Sequence, residues 1–508
     1  MDYLVPAWHK MLEDQSLAVP MIEFDDATSH LRILRDVSEE YGLIITDYQP
    51  HLLTKLNLFG INASKTFSTF DFLQGIESNE SHAFDFRDLS WPNGAYFVNA
   101  PFHLQVMVGR ELFASLTFDT RGNVIYIDYF NDNHRSSRLV IDSRGFVSRE
   151  EKYDSQAKNI ENIYFDLQGF WRIKHDLITG KVKINLSRIN EVSQDEYKNL
   201  NSLIEEVTIN HFLPLLKEED RLIVTVDDNS LIAPEDFTNT HRRVYFSASH
   251  FHPFNSAIQG LKMKRNTKLV TDSKSNAESI RDTLHLEKLP SVIPIFPTEF
   301  QLGHSQQTFA QQVAIFSENT EFNVLKKMVE LEYQRLVKNP EGESLRIITY
   351  TPQREQEANI VLNQLKEKHK GEFLIKEELP KNENDKDLAK QKLPVLDIAI
   401  KRMASMSDVL TNLDKTRLLV DLGEENDEFL QIAAISVGVP QLRKHASELL
   451  VNGKNGLICT SMEELSKGLE YYLSSLKNWN TALIENVKFL NQYSEDNLLK
   501  LWQEVFDE

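Results

Sequence analysis

The sequence predicts an α/β fold with two parallel-sheet domains, the first of which is interrupted by an antiparallel β-meander. Three observations lead to this prediction. Short apolar strands alternate with helical segments at both ends of the chain, turn signals repeat between them, and 508 residues exceed the roughly 100–200 of a usual domain. We therefore predict the first domain at 1–84 and 191–309, the insertion at 85–190, and a second domain with C-terminal helices at 310–508.

The first strand, helix and second strand are predicted from the first fifty residues. An apolar run at 3–5 predicts a short strand, and Asp25 and Asp26 are suited to cap the helix that follows. The predicted apolar face of that helix carries Leu31, Leu34 and Val37. We expect Gly42 to end this helix and 43–45 to form a buried strand.

The middle of the chain carries a repeat that is typical of consecutive hairpins. Asp119, Asp142 and Asp166 each stand three residues before a glycine, and a shorter version contains Gly180. An Asp side chain can accept hydrogen bonds from the backbone of a turn, and glycine adopts the positive φ that such turns require. Because β-rich segments flank each unit, we predict an antiparallel meander. Ordinary hairpins without any binding specificity explain the repeat equally well.

Signals for a parallel sheet return after the insertion and continue to the end of the chain. They combine short apolar strands with longer segments of helical periodicity. The predicted elements are a helix at 200–212, strands at 222–226, 244–246 and 268–270, strands at 346–350 and 418–420, a helix at 356–367, an apolar helix at 429–437 and a terminal helix at 483–506.

The composition limits the classes of partner. A net charge of −20 disfavours nucleic acid and anionic lipid, although a local basic patch remains compatible with peripheral membrane contact. A lone cysteine, Cys459, cannot form an internal disulfide, which fits a reducing compartment. Asp2, Pro6 and Lys10 do not fit a signal peptide, and no apolar window approaches the ~18 residues of a membrane span. We expect a cytoplasmic protein, with recruitment to the inner face of the cell membrane left open.

The segment 421–442 resembles the donor half of retaining GT-B glycosyltransferases, which are built from two Rossmann-like domains. In that family two glutamates with seven residues between them bind the donor. Glu425 matches the first, and Ala433 stands at the second position. The family also holds the diphosphate with an Arg and a Lys, of which the comparable loop here offers only Arg354. The resemblance implies a GT-B-like architecture with a degraded donor site. Alternatively, Glu425 and Glu428 are acids that stabilise a helix N-terminus.

Two histidines after the predicted strand at 244–246 form a second candidate site. His250 and His252 are two residues apart, so in extended chain both side chains can face one ligand in the cleft between the domains. Surface histidines, or histidines satisfied by neighbouring groups, are the alternative. We predict no metal site, no cofactor and no catalytic residue.

Five short motifs together resemble the first of the accessory secretory (Asp) proteins of the accessory Sec system. They are Tyr3 with 6–8, 24–26, 48–51, 70–71 and 302–306. The resemblance implies a protein that does not transfer sugar but acts with the two other Asp proteins and an accessory SecA-type motor. Its implied role is export of glycosylated serine-rich-repeat adhesins, by scaffolding and by binding the glycosylated client.

Two other functions remain open at this point. One is an active retaining glycosyltransferase that uses a UDP-sugar to modify the adhesin. The other is a lectin-like reader of the adhesin's sugars that uses the cleft without a nucleotide. By analogy with related adhesin glycosyltransferases, the hairpins from Asp119 to Val182 would present a sheet to a partner or to the adhesin.

Overall fold

The structure is a computed structural model, and it describes most of the chain. The described residues are 1–8, 25–35, 40–58, 60–61, 63–77, 80–100, 103–119, 122–189, 191–240, 243–261, 263, 267–295, 303–379, 393–403 and 406–507. They form two compact units, which divide between Ile293 and Pro294. The sequence predicts the boundary between the first and the second parallel-sheet domain between 309 and 310 instead.

Unit 1 contains a parallel sheet of seven described strands. They are β1 (Asp2–Val5), β2 (Tyr41–Ile45), β3 (Lys65–Ser68), β14 (Arg221–Thr225), β15 (Val244–Ala248), β16 (Thr267–Thr271) and β17 (Ser291–Val292), in the order β17-β16-β15-β14-β1-β2-β3. Its helices are α1 (Asp26–Arg35), α2 (Leu52–Leu58), α3 (Thr69–Gln74), α4 (Leu200–Val207), α5 (Pro234–Thr240), α6 (Asn255–Gly260) and α7 (Lys274–Leu284). A π-helical segment (Thr208–Phe212) continues α4. The helix predicted at 200–212 therefore changes from the α-helical to the π-helical hydrogen-bond pattern halfway.

Gly42 does not end α1, so that prediction is wrong. It lies inside β2, where the ring of Tyr3 from β1 comes within 2.4 Å of the place a Cβ would occupy. Glycine marks chain ends and sites of close approach alike, so its presence alone did not separate the two uses. The predicted face residue Val37 lies outside the described residues.

The insertion is an antiparallel sheet of ten strands in sequential order, as the hairpin repeat predicts. The strands are β4 (Ala95–Ala100), β5 (His103–Val108), β6 (Glu111–Phe118), β7 (Val124–Asn131), β8 (His134–Ile141), β9 (Val147–Tyr153), β10 (Asn159–Phe165), β11 (Trp171–Asp176), β12 (Val182–Ile184) and β13 (Glu196–Tyr197). The repeat forms the turns: Asp166 Oδ1 accepts from the backbone of Phe170 at 2.9 Å, and Gly169 has φ of 80°. A separate apolar cluster supports β5–β8, with Val106, Ala114 and Leu116 fully buried.

Unit 2 contains a second parallel sheet. Its strands are β18 (Gln311–Phe316), β19 (Glu343–Thr349), β22 (Ile398–Arg402), β23 (Thr416–Asp421), β24 (Gln441–Arg443) and β25 (Gly456–Ile458), in the order β22-β19-β18-β23-β24-β25. A separate pair, β20 (Leu374–Ile375) and β21 (Val395–Leu396), is also parallel. The helices are α8 (Phe322–Lys338), α9 (Pro352–Lys368), α10 (Met406–Asp414), α11 (Glu428–Ser436), α12 (Met462–Leu473), α13 (Leu476–Gln492) and α14 (Glu495–Asp507).

The single terminal helix predicted at 483–506 is wrong, because two helices cover that stretch. α13 ends at Gln492, and the carbonyl of Ser494 accepts from the backbone N–H groups of Asn497 and Leu498, which starts α14. The apolar spacing continues across the break, and spacing alone therefore did not reveal it. No helix in the described part of the chain has the length and apolar character needed to cross a membrane.

Candidate functional site

Both parallel sheets change winding direction beside their first strand. In unit 1 the change lies between β1 and β14, and in unit 2 between β18 and β23. Ligands of open α/β sheets bind outside the carboxyl ends of the strands at such points. The sequence-predicted site residues lie near these two edges, and each edge is described separately below.

Asp25 organises the loop that follows β1. Its carboxylate accepts from the backbone N–H and the hydroxyl of Thr28, both at 2.7 Å, which caps the start of α1. The indole N–H of Trp8 donates to the same carboxylate at 2.7 Å. Burial raises the pKa of Asp25 to about 6, and repulsion from Asp26 adds to the rise. The capping role expected for this acid is present.

His252 lies between two buried carboxylates. Its Nε2 is 3.1 Å from Asp26 Oδ1 and its Nδ1 is 3.1 Å from Asp227 Oδ2. Burial alone would lower the pKa of His252, but attraction to Asp26 and hydrogen bonds to both carboxylates outweigh it and raise the pKa to about 10. At neutral pH the ring is therefore an imidazolium that donates to Asp26 and Asp227, and it has no basic nitrogen with which to take a proton.

Asp26 also gathers polar groups from the neighbouring strands. The hydroxyls of Ser247 and Thr225 donate to its Oδ2 at 2.9 and 3.2 Å. His30 Nε2 lies 3.0 Å from the Ser247 hydroxyl, and burial lowers the pKa of His30 to about 4, so this ring is neutral at pH 7. One histidine of the cluster is thus charged and the other uncharged, because burial dominates at His30 whereas two carboxylates outweigh it at His252.

His250 is the more accessible of the two predicted histidines. Its Nδ1 bonds Asp272, and its backbone N–H donates to the same carboxylate at 2.9 Å. The side chain is 31% exposed, against 10% for His252. Burial opposes ionisation of Asp272, but the bonds and charge of His250 outweigh it and hold the Asp272 pKa below its usual value. The two rings lie at one sheet edge, but each is bound to different carboxylates.

In unit 2, Glu318 joins the ends of β18 and β19. Its carboxylate accepts from the Thr349 hydroxyl and from the backbone N–H groups of Tyr350 and Thr351, the latter two at 2.8 and 3.2 Å. Burial opposes the charge, but these hydrogen bonds hold the pKa of Glu318 below its usual value. A carboxylate therefore occupies the loop beside the point where the unit 2 sheet changes its winding direction.

Two cationic side chains at this edge form ion pairs with carboxylates of the same chain. Arg443 Nη2 lies 2.9 Å from Asp421 Oδ2, and both side chains are almost completely buried. Lys444 pairs with Glu424 in the loop after β23. The Glu424 backbone N–H donates to the carbonyl of Asn319 at 3.0 Å, so the loops after β23 and β18 are bonded to each other.

The structure disperses the predicted donor residues over three elements. Arg354 lies in the first turn of α9 and pairs with Glu357 at 2.6 Å. Glu425 is exposed in the loop after β23, Glu428 is the first residue of α11, and Ala433 is buried within that helix. The N-cap of α11 is Asp427, whose carboxylate accepts from the Leu430 N–H at 2.6 Å.

The sequence did not point to Asp227, to Glu318 or to the ion pair between Asp421 and Arg443. It indicated Asp26 only as a helix cap and not as the carboxylate that gathers the polar groups of this cluster. A positional signal was available, because Asp227 and Asp421 end apolar strand runs that neighbour the first strand of each sheet. The contacts that these acids make with His252 and Arg443 depend on strands that are far apart in sequence.

A family model for the first Asp protein of the accessory Sec system matches residues 5–508 of the chain. A curated relative with the same description, from Streptococcus gordonii, is 26% identical over 526 residues and covers 100% of this chain and 99% of its own. A solved structure of accessory secretory proteins 1, 2 and 3 from Streptococcus pneumoniae contains a similar chain, with TM-score 0.77, 20% identity and full coverage of both chains.

The fold likeness extends to glycosyltransferases. The pneumococcal O-GlcNAc transferase GtfA, solved with UDP and GlcNAc, is similar with TM-score 0.60 and 10% identity, covering 100% of this chain and 99% of its own. The predicted GT-B-like fold class is confirmed, with two parallel-sheet units and an antiparallel meander in the first. Because the family model spans nearly the whole sequence, the chain belongs to the family of the first Asp protein of the accessory Sec system.

Proposed function

We propose that this protein is a non-catalytic, glycosyltransferase-like component of the accessory Sec system. It acts with the two other Asp proteins and the SecA-type motor, at the cytoplasmic side of the membrane, in export of glycosylated serine-rich-repeat adhesins. Its role is to scaffold the assembly and to bind the glycosylated client. The supporting observation is that Arg354, Arg443 and Lys444, cations at or near the carboxyl edge of unit 2, are paired with carboxylates of the chain itself.

The pairing matters because a nucleotide diphosphate needs concentrated positive charge or many backbone amides. Recruiting Arg443 to a phosphate would leave Asp421 buried and uncompensated, which is strongly unfavourable. Arg354 would have to leave Glu357. Ala433, at the position of the family's second glutamate, has no group to bind a sugar hydroxyl. These features favour a binding protein over a sugar transferase.

The partners follow from the similar solved assembly, in which accessory secretory proteins 1, 2 and 3 occur together. Co-purification of the full chain with the other two Asp proteins of the same organism tests the scaffold role. We expect one stable complex at micromolar concentration. Three separate proteins under those conditions would remove the main support for the proposal.

Client binding is tested with a serine-rich peptide carrying N-acetylglucosamine and the same peptide without sugar. We expect saturable binding of the glycosylated form alone. His250→Ala should weaken it, because His250 is the more exposed histidine at the unit 1 edge. His304→Ala is a matched control, since His304 is also exposed and bonded to a carboxylate, Asp414, but lies in unit 2. Equal binding of both peptides would contradict client recognition through sugar.

An active UDP-sugar glycosyltransferase is the second candidate, favoured by the fold likeness to the transferase solved with UDP. Calorimetric titration of the full chain with UDP-GlcNAc and UDP-glucose, together with an assay of UDP release, separates the two. The non-catalytic proposal expects no heat of binding and no UDP release above a protein-free blank. Saturable binding that Glu425→Ala weakens would revive the alternative, and UDP release above the blank would establish it.

A further inference from the structure

The antiparallel sheet of unit 1 ends differently at its two edges. At one edge, β13 has only two residues, its Glu196 pairs with Lys181, and α4 follows it along the chain. At the other edge, β4 has six residues, none of them is charged, and residues 96–99 are all exposed. Native proteins usually shorten, charge or cover an edge strand, because an open strand pairs readily with another chain. The edge at β4 is thus the one that is suited to such pairing.

The outer side of β4 carries backbone N–H and C=O groups that can pair with another strand. The Ala95 N–H donates to the carbonyl of Pro92 at 3.1 Å rather than to β5, so the Ala95 backbone faces away from β5. In an antiparallel pair, alternate residues direct their backbone groups to the same side. Because the register of β4 and β5 is regular, Phe97 and Asn99 also face away from β5. Within the described residues, no strand pairs with this side of β4.

A cavity of about 610 Å³ lies beside this edge, and the same two residues, Phe97 and Asn99, line it. Two further aromatic rings, those of Phe86 and Phe118, form its apolar wall. The Phe86 ring meets the other two edge to face, with centroids 5.7 Å from Phe97 and 6.3 Å from Phe118. The volume lies within the roughly 300–1,000 Å³ of pockets that hold small ligands. These contacts place the open strand edge and the cavity in one surface.

The polar groups around the cavity suit an uncharged ligand. Arg87 pairs with Asp85 at 2.7 Å, and the Asp119 carboxylate accepts from the backbone of its own turn. The Asn99 amide forms no hydrogen bond within the described residues, and His103 bonds through Nδ1 alone. Amide and imidazole groups can both donate to and accept from hydroxyl groups. Together with the aromatic wall they are complementary to a sugar ring, which has an apolar C–H face and polar hydroxyls.

A strand added to β4 directs some of its side chains toward this cavity. Residues that are directly opposite each other in a sheet place their side chains on the same face. A residue paired with Phe97 or Asn99 therefore has its side chain on the cavity side. In recognition by strand addition, main-chain hydrogen bonds supply affinity and pockets for alternate side chains supply specificity. A sugar linked to a serine hydroxyl at such a position reaches the aromatic wall.

We propose that β4 binds an extended, uncharged serine-rich segment of the glycosylated client as an added strand, with one of its sugars in the cavity. The uncharged strand favours a neutral segment over an acidic or basic one. The cavity favours a sugar-bearing residue, since a bare serine side chain leaves most of its volume empty. The inference rests on the proposed function and adds the surface and the chemistry of the contact. A client with several sugars also reaches the His250 edge, so the two contacts reinforce each other.

Calorimetric titration of the full chain with the serine-rich peptide that carries N-acetylglucosamine tests the cavity. Phe97→Leu keeps an apolar side chain but removes the flat ring, and we expect the dissociation constant to rise about tenfold. Tyr96→Leu is the matched control, because Tyr96 is 48% exposed, against 43% for Phe97, but faces the other side of the sheet. It should leave the dissociation constant unchanged. Equal dissociation constants for the two variants would overturn the proposal.

Two variants of Asn99 separate the main-chain contact from the side-chain contact. Asn99→Ala and Asn99→Pro both remove the amide, but only proline also removes the backbone N–H that faces away from β5. Edge strands tolerate proline at such a position, so the melting temperatures of the two variants should agree. We expect Asn99→Pro to bind the glycosylated peptide at least about threefold more weakly than Asn99→Ala. Equal binding by two equally stable variants would refute strand addition, and Phe97→Leu decides the outcome if Asn99→Pro is unstable.

The remaining outcomes distinguish this surface from the proposed function and from self-association. If the wild-type chain binds the glycosylated peptide and every variant binds it equally, the surface is wrong while the proposed function stands. If the wild type does not bind it, the surface and the client-binding role are both wrong. Size-exclusion chromatography with light scattering on the wild type and on Asn99→Pro should show a monomer in each case. A dimer that Asn99→Pro dissociates would assign the β4 edge to contact between copies of this chain instead.

Discussion

At the carboxyl edges of the two parallel sheets, different cations compensate the charge of buried carboxylates. At the unit 1 edge, the imidazolium of His252 lies between Asp26 and Asp227. At the unit 2 edge, the guanidinium of Arg443 pairs with Asp421. Histidine can lose its proton within the working range of a protein whereas arginine cannot, so the two edges are expected to respond differently to pH. Changes at Arg443 and His252 test this contrast, and two smaller effects, at Glu332 and Arg354, concern helices of unit 2.

Arg443→Leu should destabilise unit 2 by about 3–5 kcal/mol, because it leaves the buried Asp421 carboxylate without its partner. Hydrogen exchange followed by mass spectrometry, with peptides from each unit, measures the local effect without requiring two-state unfolding of the whole chain. The double variant Arg443→Leu with Asp421→Leu is the control, and it should recover most of the loss. A single variant as stable as the wild type would contradict a structural role for the pair.

His252→Gln should destabilise unit 1 by roughly 2–3 kcal/mol at pH 7, the scale of hydrogen bonds to charged groups. The folded pKa of about 10 lies above the ordinary 6.5, so the stabilisation is fully present below pH 6.5 and is lost as pH rises through about 10. Exchange protection of unit 1 at pH 7, 8.5 and 10 should converge between variant and wild type. His250→Gln, which alters a more exposed histidine, is the matched control, and a pH-independent difference would contradict the imidazolium.

Glu332→Gln should stabilise unit 2 by about 1–3 kcal/mol at pH 8.5, an effect unrelated to its carboxyl edge. Glu332 is 2% exposed in α8, and burial raises its pKa to about 8. A folded pKa above the ordinary 4.5 means that stability falls as pH rises from 4.5 to 8. The variant should therefore match the wild type near pH 4.5 and exceed it at pH 8.5 in denaturant titrations. No gain at high pH would indicate that the carboxyl already ionises freely.

Arg354→Ala should change stability by less than about 0.5 kcal/mol, because its pair with Glu357 is one turn apart on α9 and both side chains are roughly one-third exposed. Thermal unfolding of Arg354→Ala and of Glu357→Ala measures this. A loss of several degrees in the first variant alone would show that Arg354 has a role beyond the helix surface.

The sequence predicted the architecture well because local patterns determine it. The Asp-x-x-Gly repeat specified turns that need positive φ, and Gly122, Gly145, Gly169 and Gly180 all adopt it. Gly42 was misinterpreted, since only the neighbouring ring of Tyr3 shows why a side chain does not fit there. The break between α13 and α14 was missed because the apolar spacing runs on through it.

The candidate site was predictable only in part. His250, His252, Glu425 and Arg354 were found as residue types in suggestive positions, but their partners were not. Asp26 meets His252 across 226 positions of sequence, and Asp227 lies in the loop two residues after β14. No local pattern encodes such pairs, because they form when parallel strands from distant segments bring their carboxyl ends together.

By itself the sequence determined the two α/β units, the meander between the halves of unit 1, and the family. Periodicity, turn residues and motif order are local properties that survive without coordinates. The tertiary structure decided which charges are compensated. It gives Arg443 a buried carboxylate, and it places Arg417 over Trp479 with no carboxylate partner in the described part of the chain, although both are arginines in apolar strands. That distinction depends on which distant groups surround each guanidinium, and those groups set the cost of burying its charge.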